Sequence, residues 1–342
     1  MSVSADLLRI GMVREATPGV TPANPAFQLL RVTSESLAYT PETALSNELN
    51  PNRQVADVIV TGGQSGAEIG FEMSSNPGFE MMLEGVLGNI WSGVAPANEL
   101  WVGNLMHTHT VEKRFTLNEA DPVPADRYEY NRAVRTAVDA MTLTFSPGGA
   151  AVGSATLIGG AFERDSADLA GATYVDAGKL PVMVGSGVMP VTFTIAGVDY
   201  TAWCVSNLVV TMRNNGRAIA CLGQEMASEV VLGRFECEIT GEIYVNKETK
   251  AAMDAFLDKE EIAFGFTVAD AQGNAYDFFF PRVRISGASE NAQGTNQDVV
   301  LNLTMQALVD TLVIGVDPDD VEAETCIQIT RTHTTTPWPE GA

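Results

Sequence analysis

Basic residues are scarce in this chain: 20 Lys and Arg stand against 43 Asp and Glu, and the formal charge is −23. A protein that grips nucleic acid sets cations against phosphates, so ordinary nucleic-acid binding is excluded. Two meanings of the acidity stay open, plain solubility and a surface past which a polyanion slides without sticking. Cysteine is also sparse. The four, Cys204, Cys221, Cys237 and Cys326, all lie in the second half with no close pair of the kind zinc or a redox centre needs. They read as reduced thiols, and Cys204, Cys221 and Cys237 fall in expected strands, where a buried structural thiol is the natural role. Only 3 histidines occur. His107 and His109 could face one way beside Glu112, but without a third ligand at convincing spacing they read as a packed or solvated pair. No Gly-x-Ser-x-Gly elbow or phosphate loop is present, and Gly62-Gly63, Gly148-Gly149 and Gly159-Gly160 are spaced as turns or bulges. No catalytic residue, cofactor site or metal site is therefore expected. No apolar run approaches the ~20 residues of a membrane span, and the opening MSVSADLLRIGMVREATPGV lacks the apolar stretch of an export signal. No membrane partner and no export are expected.

What the chain does have is a repeated unit. In EIGFEMSSNPGFEMMLEGVL, Glu68–Leu87, the residues Ile69, Phe71 and Met73 alternate with Glu68, Gly70 and Glu72, the pattern of a strand with one buried face. Asn76 as N-cap, Pro77 at the first helical position and Gly88 beyond the end predict a helix. Phe79, Met82, Leu83 and Val86 form its core face. Moving 170 positions along gives EITGEIYVNKETKAAMDAFL, with Glu238, Ile239, Glu242, Asn246 and Leu257 matching Glu68, Ile69, Glu72, Asn76 and Leu87. The second helical face is Ala252, Met253, Phe256 and Leu257. Upstream, Gln54/Gln224, Val60/Val230 and Gly63/Gly233 match at the same offset. The simplest account is a fold duplicated in tandem. Glu68, Glu72, Glu238 and Glu242 face one way on matched strands, either as a solvent-facing side or as an acidic working surface.

The expected order along the chain is an N-terminal arm (1–30), a first unit (31–162) with an unmatched insertion at about 89–110, a connector (163–190), a second unit (191–310) and an acidic, Thr/Pro-rich tail (311–342). A strand is expected from Phe27 through Val32 to Tyr39, then a long β-arm at about 45–66, with a counterpart at 214–234 opening on Asn214, Asn215 and Gly216. The insertion carries Trp91 and Trp101 and reads as a packed loop. Further strands are expected at Tyr128–Val134, Asp139–Phe145, Val191–Ile195, Ile262–Val268, Tyr276–Phe280 and Val299–Val309. The fold class is α+β, mainly β: two units, each an antiparallel sandwich or partly closed barrel with one flanking helix.

The stretches VREATPGVTPANPAFQLLRVTSESLAYTPE (13–42), ELNPNRQVADVIVTGGQSGAEIGFEMS (48–74) and LTFSPGGAAVGSATLIG (143–159) resemble the tube domain of major tail tube proteins of long, flexible-tailed (siphovirus-type) bacteriophages. The resemblance covers the first half; the second half rests on the internal repeat. It implies a structural, non-enzymatic virion protein, assembled in the host bacterial cytoplasm, whose rings stack around a channel that conducts DNA. The implied partners are further copies of the chain, the tape measure, tail terminator and baseplate proteins, and passing DNA that is not bound specifically. Two units per chain imply trimers forming a pseudo-hexameric ring. On that reading Asn50, Arg53, Val58, Val60, Arg217, Gln224 and Glu229 are the candidate stacking arm, and Glu68, Glu72, Glu238 and Glu242 the candidate lumen face. The alternative is a virion decoration or adhesion protein using Trp91, Trp101 and the tail for recognition.

Overall fold

The structure, a computed structural model, describes residues 4–48, 54–55, 57–92, 97–123, 126–178, 181–184, 191–201, 203–224, 226–292, 294–295, 297–314 and 321–332. It is mainly β, with two α-helices among these residues, α1 (Pro77–Leu87) and α2 (Lys250–Asp258). α1 begins where the local chemistry dictates. Asn76 accepts the Phe79 N–H at 3.0 Å, Pro77 fills the first position, and Gly88 closes the helix at φ +63°.

One antiparallel ladder runs through the whole chain. It starts with Val32–Glu35 and Ala38–Leu45, both paired to Val58–Glu72, and continues through Val152–Gly159 to Tyr128–Phe145. The last of these pairs with Val205–Arg213, and the order then repeats as Glu236–Tyr244, Val299–Leu308 and Ala275–Ala292. A second layer repeats likewise. Tyr128–Phe145 pairs through its first half with His109–Thr116, then Arg9–Arg14, then Ala26–Leu29. Ala275–Ala292 pairs through its first half with Glu261–Ala269, then Val191–Ile195, then Val198–Tyr200.

The two 18-residue strands therefore serve both layers of their own half. Each has to turn a corner. In the first, Arg135 takes φ +58°, next to the register shift between His109 and Val111; in the second, the shift between Ile262 and Phe264 falls at Pro281. Such bulges bend a strand at the cost of a ladder bond. The two strands expected here, Tyr128–Val134 and Asp139–Phe145, are one continuous strand, and Arg135 lies in the stretch between them.

Between the layers lies one hydrophobic cluster that spans both halves. Phe145 of the first half packs on Phe266 and Phe278 at centroid distances of 5.0 and 6.0 Å, and Phe79 of α1 meets Tyr276 edge-on at 5.6 Å. The alternating faces Val191–Phe193–Ile195, Ile262–Phe264–Phe266–Val268 and Leu301–Leu303–Met305 are all buried, as their period of two demands.

Several expectations need correction. The single strand from Phe27 to Tyr39 is three strands, Ala26–Leu29, Val32–Glu35 and Ala38–Leu45, the first in the other layer. The lead-in read as an arm holds the strand Arg9–Arg14, with Ile10, Met12 and Val13 buried. The stretch read as a connector adds Thr173–Val175 parallel to Ala26–Leu29, where Tyr174 stacks on Phe27 at 5.5 Å. The Trp insertion and the tail meet: Ala97–Trp101 pairs with Gln328–Thr332, whose other side pairs with Ala275–Phe279. Ile327 and Ile329 are fully buried. Of the thiols, Cys237 is buried in a strand, but Cys204 and Cys221 are exposed and lie outside the strands.

Candidate functional site

Three surfaces stand out, and each follows from the ladder. The first is the outer face of the sheet. Gly70, Ser154, Thr142, Thr211, Glu238 and Gln306 lie opposite one another in turn, so they form one row across the sheet. The neighbouring row holds Glu68, Thr156, Ala140, Arg213 and Glu236. Glu68, Glu72, Glu238 and Glu242 thus share one face, set among small polar residues. Glu68 and Glu238 are exposed, Glu72 and Glu242 half-buried. The charge is acidic on balance but not uniform. Arg31 pairs with Glu72, Arg284 with Glu261 at 2.7 Å, and Arg213 lies on the face itself. Glu68 and Glu238 are counterparts in the repeat, yet the row through Glu238 crosses the first half at Gly70, two residues further on. The sheet is staggered, as a curving sheet must be.

The second surface is a pair of strand edges. Val32–Glu35 and Ala38–Leu45 are paired on one side only, and so are residues 285–292 of the long second-half strand. Among the described residues no strand covers either edge. Exposed edges of this kind are normally paired or blunted.

The third is the hairpin of Ala38–Leu45 and Val58–Glu72. Its outer part exposes Leu45, Val58, Ile59 and Val60, with Val58 53% and Val60 62% exposed. Consecutive exposed apolar residues on an isolated ribbon are unusual for a free surface. Asn50 and Arg53 of the expected arm lie outside the described residues.

The second-half counterpart differs from the long arm that was expected. Arg217–Ile219 and Glu229–Val231 make a short ribbon that lies down on the first half. Ala227 donates to the Gly63 carbonyl at 3.1 Å, and the Arg135 guanidinium reaches the Ser228 carbonyl. Arg217, Gln224 and Glu229 are exposed on it. Asn214, read as a turn residue, is buried and donates to the carbonyls of Val86 and Val138 at 2.9 and 3.0 Å. Asn215 beside it takes the φ of +49° that the turn needs.

The helices also diverge. In α1, Phe79, Met82, Leu83 and Val86 are buried as expected, and so are Glu80, Met81 and Leu87, because the helix is packed on every side. Glu80 accepts from Tyr276 Oη at 3.1 Å and is paired with Arg331, whose guanidinium lies 4.5 Å from the Trp91 ring. That network joins α1, the Trp insertion and both halves. α2 starts at Lys250, because Asn246 caps the preceding turn by accepting from Glu248 and Thr249. Ala252 and Ala255 are its buried residues, Met253 and Phe256 are half-buried, and Leu257 is 66% exposed, against the core role expected of it.

Residues missed in the sequence do much of the holding. Glu15 accepts from Thr110 Oγ1, Arg135 N and Gly19 N at 2.9, 2.8 and 2.7 Å, and so ties the Thr/Pro-rich lead-in to the corner of the long strand. Glu112, considered beside the histidines, instead pairs with Arg132 at 2.8 Å and accepts from Tyr174 Oη at 2.8 Å. His107 Nε2 lies 3.1 Å from the Asn89 carbonyl oxygen. Burial, with Arg14 nearby, lowers the pKa of His107 to about 4 and that of His109 to about 3. Burial raises Cys326 to about 11 and Cys237 well above the usual thiol range. The described residues contain no cluster of metal-capable side chains, and no helix among them is long and apolar enough to cross a membrane.

No curated protein matches the chain significantly. The family described as phage tail tube protein, a structural family and not a class of enzyme, matches residues 6–307, nearly the whole chain. The chain belongs to the phage tail tube protein family, and is a structural protein of the bacteriophage virion.

Proposed function

We propose that this chain is the major tube subunit of a long, flexible-tailed phage, built from two copies of one unit and assembled as trimers into pseudo-hexameric rings. The observation that carries the reading is the continuous sheet, whose strand order in the first half recurs in the second and whose two ends are open edges. Three such sheets would contribute about 24 strands, and at ~4.8 Å per strand a closed wall of that size is roughly 37 Å across between backbones. That is wide enough for a DNA duplex with a water layer.

The face bearing Glu68, Glu72, Glu238 and Glu242 would line the channel, where carboxylates repel phosphates and small hydroxyl side chains offer no grip. The exposed Val58–Val60 strand end would seat the hairpin on the next ring, with the shorter second-half ribbon beside it. Tape measure, terminator and baseplate proteins would meet the tube at its core and ends, and assembly would take place in the bacterial cytoplasm. Electron microscopy of the purified protein tests this directly. Rings or tubes with three-fold symmetry are expected, whereas a strictly monomeric species at high concentration, with no tubes in virions containing this chain, would count against it.

A further inference from the structure

The second layer of the second half has an outer face of its own, and its composition differs from that of the Glu68–Glu238 face. Thr192 lies opposite Gly265, Gly265 opposite Phe279, Phe279 opposite Gln328 and Gln328 opposite Trp101, so they form one row across the layer. The residues that alternate with them, Phe264, Phe266, Phe278, Ile329 and Leu100, are buried, and the row itself therefore points outward. Phe279 is 39% exposed and leans across Gly265, where a Cβ would stand 3.4 Å from its ring. The next row holds Thr267, Asp277, Thr330 and Glu99. Thr267 donates to Asp277, and Gln328 Nε2 donates to Glu99 Oε1 at 3.0 Å. A shallow groove of about 370 Å3 runs over Gly265 from Thr192 and Thr194 to Gln328 and Thr330, and Trp101 continues the row beyond it. Two aromatic rings thus stand beside a row of hydroxyls and carboxylates.

The corresponding place in the first half is closed. There Gly11, Glu112, Arg132 and Glu163 form the row. Arg132 and Glu112 pair at 2.8 Å, and the segment that follows caps both: Tyr174 Oη donates to Glu112, and the Ala167 carbonyl accepts from Arg132, each at 2.8 Å. Among the described residues no such segment lies over the second-half face.

We propose that this face binds a neutral polysaccharide, an extended chain of β-linked pyranose rings. The C–H face of a pyranose is apolar and packs on an aromatic ring, while its hydroxyls take the donors and acceptors beside that ring. Phe279 and Trp101 are two strands apart, roughly 9.6 Å, which matches alternate rings of such a chain. Charge decides against an anionic polymer, since neither row contains Lys or Arg and both Asp277 and Glu99 would repel phosphates or carboxylates. A peptide strand is disfavoured too, because the strands beneath the groove are paired on both sides and offer it no free edge. The hydrophobic cluster separates the two layers, so the groove lies on the opposite side of the molecule from the Glu68–Glu238 face. In a tube with that acidic face inward, the groove points out and recurs once per chain, and a weak contact at each copy is multiplied along the length. The site itself stands on the single chain and goes beyond the tube reading.

Isothermal titration of the full chain tests it. Chitohexaose or cellohexaose, both β-linked and extended, should bind, whereas the curved, α-linked maltohexaose and the polyanion heparin should not. The disaccharide of the hexamer that binds should be about tenfold weaker, since it cannot reach both rings. Phe279→Leu and Trp101→Leu keep an apolar side chain over the sheet, so the melting temperature should hold while each weakens binding about tenfold. Phe279→Tyr keeps the ring and should bind as the unmodified chain does. Failure of both β-linked hexamers to bind, equal binding of maltohexaose or heparin, or unchanged affinity in both leucine variants overturns the site and leaves the tube reading standing. Loss of hexamer binding on assembly overturns it as well, and makes a second copy of the chain the occupant of the groove.

Discussion

Glu80 shows how much one side chain can carry in this protein. A carboxylate on a helix packed on all sides is costly unless cations and donors surround it, and here Arg331 and Tyr276 do so from the other half of the chain. Arg331→Met removes the cation and keeps the bulk against Trp91. It is expected to cost about 3 kcal/mol in the free energy of unfolding, measured by denaturant titration, because an ion pair broken from one side is worse than none. Tyr276→Phe should cost less, roughly 1–2 kcal/mol. His109 sets a pH dependence. Its folded pKa of about 3 lies below the ordinary 6.5, so the unfolded chain takes up the proton first as pH falls. Its contribution is present above pH 6.5 and is lost on acidification, at up to about 1.4 kcal/mol per pH unit. His109→Gln should flatten the fall in stability between pH 6.5 and 4.5. An unchanged slope in thermal melts would assign that fall to other groups. None of these partnerships was visible in the sequence, because Glu80 and Arg331 are 251 positions apart and each, taken alone, reads as a surface charge.

At the scale of elements, what could be read was local chemistry. Asn76, Pro77 and Gly88 lie within a dozen residues and specify α1 without reference to anything else, so its limits were legible. α2 was legible as a helix but not in its start, because Asn246 caps only the preceding turn and the helix begins after Thr249, whose side chain makes no capping bond. Its buried residues are the alanines, and Leu257 turns outward although the spacing put it on the core face. Strand order could not be read, since Arg9–Arg14 finds its partner about a hundred residues away and Gln328–Thr332 more than two hundred. The outer sheet face was half legible: Glu68 and Glu238 were matched, but the stagger that puts Gly70 in the row of Glu238 is a property of pairing. The hairpin gives the prediction at this scale. Changing Val58, Ile59 and Val60 to Thr keeps strand propensity and removes exposed apolar surface, so folded stability should shift by less than about 0.5 kcal/mol. Tube length measured by microscopy should fall sharply; tubes of normal length would remove the hairpin from ring stacking.

For the whole molecule, the balance of charge becomes a matter of transport. If the outer sheet face lines the channel, Glu68→Lys with Glu238→Lys places phosphate-binding cations along the path of the DNA without touching the core. Tubes should still form, while ejection of DNA from particles should slow several-fold and recover at high salt, as counterion release requires. Ejection at the normal rate at every salt concentration would move the channel to another face. The strand Gln328–Thr332 has a further consequence, in the order of synthesis. It is made after both of the strands it joins, and it brings Ile327, Ile329 and Arg331 to a core that is otherwise already made. Until this strand is made, the core lacks the wedge and the Arg331 guanidinium that pairs with Glu80. Closure of this part of the core is thereby placed after synthesis of both strands that flank it.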